Sequence, residues 1–142
     1  LLEGRAIIAA AAEADALSGD DLTQLQAARD KVVAAWENAI VATVIHYIND
    51  VLGDLDKVDT AEFSLPDLAK HYSECKGFSL GLQFNPRKQL SDAQFASFHA
   101  LIADHPVFEG TDETAAYRDD LLEARDLLES VYGFDTEVVT NW

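Results

Sequence analysis

SLPDLAKHYSECKGFSLGLQFNP, residues 64–86, decides how the chain is read. Ser64 stands two residues before Pro66, and a proline suits a first helical turn because the amide it lacks would be unpaired there. At the other end Pro86 pushes Asn85 out of the α region and marks a stop. At 100° per residue Leu68, Tyr72, Cys75, Phe78, Ser79 and Leu82 share one arc, so an amphipathic helix is predicted between these signals. His71 falls within that arc, and Asp67 and Glu74 lie on its edge. An imidazole and two carboxylates aimed at or near a core must be paired, protonated or bound to something.

Working outward, Leu1–Leu17 is alanine-rich and reads as a helix closed by Ser18-Gly19. Asp21–Leu52 carries no proline or glycine until Gly53 and predicts one long helix, with Asp20 or Asp21 as its cap. Its apolar arc includes Leu22, Leu25, Trp36, Ile40, Val44 and Tyr47. Gly53–Thr60 reads as an acidic, solvated turn. Its Asp54-x-Asp56-x-x-Asp59 spacing lacks the glycine and closing glutamate of a calcium loop. Ser91-Asp92 predicts a helix to about Asp104. Thr111 opens the last one, with Asp112 and Glu113 suiting its N-terminal dipole and Gly133 ending it. The expectation is an all-α bundle of about five helices, one of them long, forming a single domain over residues 1–142.

The balance of 26 acidic against 10 basic residues gives a net charge of −16, which excludes a nucleic-acid-binding surface and disfavours anionic lipid. It suits cations or a basic protein partner. One cysteine rules out an internal disulfide and a multi-cysteine zinc site. No apolar run approaches the roughly 20 residues that span a bilayer. The absence of methionine, with Leu1 opening straight into helical sequence, is expected of a piece of a longer chain.

Other charges face inward in the same projection: Arg29 and Glu37 on the long helix, His46 and Asp50 one turn apart on it, and Arg118 and Arg125 on the last. Two readings stand. The ions pair internally, for example Glu74 with Arg125, and set helix register. Alternatively His71 and Glu74 hold a metal ion with Asp67, His46 and Asp50 completing the set, while Arg118, Arg125, Glu37 and Arg29 lie behind it. A His-x-x-Glu turn lets one helix offer two ligands, but two ligands do not complete a site. Cys75 reads as a small core residue. No His-Glu-x-x-His helix, Gly-x-Ser-x-Gly elbow or phosphate-cradling glycine loop is present, and no catalytic set can be assembled.

The segments WENAIVATVIHYIND (Trp36–Asp50), LAKHYSECKGFSLGLQFNP (Leu68–Pro86) and YRDDLLEARDLLESVYGFD (Tyr117–Asp135) resemble the C-terminal half of an imelysin-like domain. This is a bacterial envelope lipoprotein domain of unknown function. The resemblance implies a helical bundle, a companion N-terminal half or chain, and a place in the periplasm or at the cell surface, lipid-anchored through an upstream segment. It also implies divalent-metal binding, iron above all, with His71 and Glu74 at the positions of the family's G-x-H-x-x-E motif and Ala69 where its glycine stands. Metallopeptidases are among the relatives it points to.

Overall fold

The computed structural model describes residues 1–14 and 16–142. The chain is all-α. Among the described residues the elements are α1 (Leu2–Ala14), α2 (Gly19–Leu55), α3 (Leu65–Gly81) with a 3-10 turn Leu82–Phe84, α4 (Asp92–Ile102), α5 (Thr111–Tyr132) and a short α6 (Thr136–Val139). The first helix, expected to run to Leu17, is not helical at Ala16 and Leu17, and Asp15 lies outside the described residues. Two compact units are distinguished, Leu1–Glu37 and Asn38–Trp142.

In the first unit, small residues let two helices come close. A methyl group added at Gly4 would lie 3.6 Å from the Ala28 Cβ and 3.8 Å from Leu25 Cδ2. The start of α2 is capped by Ser18 rather than by either aspartate. Asp21 donates its amide to Ser18 Oγ at 3.0 Å, and the Asp21 carboxylate accepts from the Ser18 amide and hydroxyl. Each group satisfies an amide the helix itself leaves open. The hydrogen bonds from Ser18 hold the Asp21 carboxyl below its usual range.

The core belongs to the second unit, where Val41, Ile45 and Ile48 of α2, Leu68 of α3, Phe98 of α4 and Leu128 of α5 are fully buried. The local signals act as read. Ser64 Oγ accepts the Asp67 amide at the head of α3, and Ser91 with Gln94 forms a capping box on α4. Gly133 ends α5 with φ 66°, a left-handed conformation that glycine adopts without a side-chain clash.

Three expectations are corrected by packing. α2 continues past Gly53 to Leu55, because a helical glycine costs only about 1 kcal/mol and Asp54 and Leu55 beyond it are buried. Trp36 and Phe78, placed on apolar arcs by projection, are 69% and 44% exposed. Short α6 was unforeseen; Asp135 caps it by accepting the amides of Glu137 and Val138. Among the described residues no helix is long and apolar enough to cross a membrane.

Gly77 lies inside α3 with no neighbouring atom within 4 Å of an added methyl group. Gly77→Ala is therefore expected to stabilise the fold by about 1 kcal/mol through helix propensity. Urea denaturation checks this, and a lowered midpoint would mean that this face of α3 is covered in solution.

Candidate metal and ligand site

α2 turns a polar stripe, His46, Asp50 and Asp54, toward α3. The four-residue spacing puts these side chains one above another on a helix face. His71 of α3 enters between the two carboxylates. Its Nδ1 lies 2.6 Å from Asp54 Oδ2, and its Nε2 lies 3.9 Å from Asp50 Oδ2. His46 Nε2 approaches the same Asp50 oxygen at 3.3 Å. Lys57 Nζ closes the far end at 3.3 Å from Asp54 Oδ1. Bases and acids thus alternate along the stripe: His46, Asp50, His71, Asp54, Lys57.

Asp54 is the buried member of this series, 5% exposed. An ionised carboxylate only accepts, so His71 donates from Nδ1 to Asp54, and its Nε2 is turned toward Asp50. That is the arrangement in which an outer carboxylate orients a histidine for metal binding. The sequence reading placed Asp54 in a solvated turn. The signal that could have found it is its register, four residues beyond Asp50 and eight beyond His46.

The His-x-x-Glu turn does not close on itself. Glu74 accepts the Tyr47 hydroxyl, a bond that pushes the phenol's proton affinity up. The other Glu74 oxygen, Oε2, is buried and has no hydrogen-bond partner in the structure. Tyr47 connects the two halves of the motif. Its ring stacks on Phe78 with centroids 5.9 Å apart, lies 6.4 Å from the His71 ring and tilts against His46 at 5.1 Å. Sequence projection saw Tyr47 only as a core residue.

The remaining candidates are dispersed. Asp67 is exposed in the first turn of α3, where its contribution is to the cap. Arg29 does not point inward. It is exposed and pairs with its neighbour Asp30 at 2.8 Å. Glu37 is buried. Arg118 donates to the Leu52 carbonyl at 3.0 Å and pairs with Asp56 at 2.7 Å, tying α5 to the end of α2. Arg125 donates to Asn49 Oδ1 at 3.0 Å rather than to Glu74. Burial pushes the Cys75 thiol up to about 12, so it is protonated and inert at neutral pH, as a core residue should be.

Among the described residues no group of three or more His, Cys, Asp or Glu that could hold a metal ion is found. His46 Nε2 and His71 Nε2 approach the same Asp50 oxygen, at 3.3 and 3.9 Å. Compared with protein-family models, with curated proteins and with solved structures, the chain matches none.

Proposed function

We propose that this chain is a non-enzymatic helical-bundle module that captures a divalent metal ion beside His71. The observation that carries the reading is the 2.6 Å contact between His71 Nδ1 and buried Asp54, which leaves Nε2 facing Asp50. His71, Asp50 and His46 would hold the ion, and Asp54 would orient the His71 ring. Glu74, with its unpartnered oxygen, stands in the same helix one turn on. Two imidazoles with one carboxylate suit ferrous iron, and zinc competes for such donors. The acidic surface would concentrate cations around the site. Acidification weakens capture, because a nitrogen that takes a proton no longer takes the metal. The imelysin-like resemblance supports an envelope setting, in the periplasm or at the cell surface, with a companion half or chain.

A second reading has its own observations. Arg118 bridges Leu52 and Asp56, and Arg125 bonds Asn49, so part of the inward charge is already spent on holding helices together. On that reading the chain is an interaction module whose acidic face meets a basic partner.

Metal analysis separates the two. After loading with ferrous iron or zinc and desalting, the wild type is expected to retain about one ion per chain, and His71→Ala to retain under about a tenth of that. A wild type that keeps no ion, or a His71→Ala variant that keeps as much, leaves the interaction module standing.

A further inference from the structure

A third imidazole, distant in sequence from this stripe, is half-buried against aromatic rings. His99, in the last turns of α4, has the Phe95 ring 4.3 Å away and the Phe98 ring edge-on at 5.5 Å. The ring donates to the backbone carbonyl of Ser79 in α3, while Nε2 is buried without a hydrogen-bond partner. A carbonyl only accepts, so the proton resides on the other nitrogen and Nε2 keeps a bare lone pair. Two charged groups act on the ring: Lys76 of α3, which opposes a further positive charge, and Asp104 beyond α4, which favours one. Burial is the largest influence and, with Lys76, outweighs the Ser79 bond and Asp104, holding the imidazole below its ordinary value of 6.5. From α5 the Tyr117 phenol reaches the same helix end and donates to the Ile102 carbonyl at 3.1 Å; burial keeps it un-ionised.

The end of α4 beside this ring is held in a strained form. Ala103 has φ 59° and ψ −173°, a region that glycine fills readily and alanine does not. Its carbonyl accepts from the Tyr72 hydroxyl at 2.9 Å and from Lys76 Nζ at 2.5 Å, and Lys76 also pairs with Asp104. These contacts from α3 keep the residue where it would not rest alone.

From this geometry we infer that His99 is an acid-sensitive release for α4. A proton added at Nε2 creates an N–H with no acceptor, next to Lys76 and against two phenyl rings. The favourable response is for α4 to loosen from α3, which wets the ring and lets Ala103 relax. The direction follows from linkage. A histidine whose proton affinity is lower in the folded state binds protons better when released, so docking is complete above 6.5 and weakens as the pH falls below it. The weakening is at most about tenfold per pH unit and ends once the folded form is itself protonated.

Amide hydrogen exchange read by mass spectrometry, corrected for intrinsic rates, tests this at about pH 7.5 and about pH 5. Metal-free His71→Ala protein serves as the background, so that the stripe on α2 does not contribute. Peptides covering Asp92–Ala103 are expected to lose about tenfold in protection relative to those from the second half of α2, and His99→Gln to lose none. Equal loss in His99→Gln, or no loss with His99 present, overturns the inference. Should His99→Gln fail to fold, proton NMR of the His99-containing protein decides. A ring titrating below 6.5, with the Ser79 and Ala103 amides moving at the same midpoint, upholds the release. A ring titrating at or above that value, or moving alone, overturns it.

Discussion

Asp54→Ala is expected to weaken metal capture by about 10- to 100-fold and to cost about 2–3 kcal/mol of stability. Both effects come from one carboxylate. In the folded protein it accepts from His71 Nδ1 at 2.6 Å and from Lys57 at 3.3 Å, at a position almost closed to water. Removing it leaves a partly buried N–H without an acceptor and frees the ring to turn or change tautomer, so Nε2 is no longer presented. Asp54→Asn separates the two consequences. Its amide oxygen can still accept from Nδ1, so stability should fall by less than about 1 kcal/mol, while the lost negative charge still lowers the basicity of Nε2. Calorimetric titration with zinc and urea denaturation measure the two quantities. An Asp54→Ala protein as stable as wild type would show that this contact does not hold His71.

Phe98→Ala is expected to cost about 3–5 kcal/mol, a large part of the roughly 5–15 kcal/mol that keeps a domain of this size folded. Phe98 has no exposed surface and is among the largest fully buried side chains of the second unit. Truncation removes its transfer free energy and leaves a cavity that the surrounding helices fill only in part. Phe84 provides the comparison within the same unit: it is 78% exposed, and Phe84→Ala should move the denaturation midpoint by no more than about 0.5 kcal/mol. Equal losses from the two substitutions would mean that the packing described around α4 is not the packing in solution.

The fold was legible wherever a local rule acts over a few residues. Ser64 with Pro66, Ser91 with Asp92, and Gly133 each mark an end of a helix, and those ends stand where the residues put them. The corrections arise where the outcome depends on what lies opposite. Projection gives the side of a helix on which a residue sits, but not how wide a strip its neighbours cover, so Trp36 and Phe78 were drawn into arcs that end before reaching them. Arg118 and Arg29 look alike in projection. Arg118 reaches a carbonyl and a carboxylate at the end of α2, whereas Arg29 pairs with its sequence neighbour Asp30. For the candidate site, the inward turn of His71 and the His46–Asp50 spacing were readable on their own helices, but not the approach of one to the other. Asp54 was hidden behind Gly53, where a helix was expected to stop, and its burial depends on α3 covering it. Tyr47 was hidden because an aromatic on an apolar face gives no sign that its hydroxyl will bond Glu74.

Asn49 uses its whole side-chain amide. The nitrogen donates to the carbonyls of Val139 and Trp142, at 2.9 and 3.1 Å, while the oxygen accepts from Arg125. Spontaneous deamidation, the slow hydrolysis that asparagine undergoes as a protein ages, would leave a carboxylate there. The arginine would be better served, but two carbonyl oxygens would face a third acceptor and be repelled. Chemical ageing at this one position would therefore show first as a loosened tail beyond Tyr132, with α2 and α5 still joined.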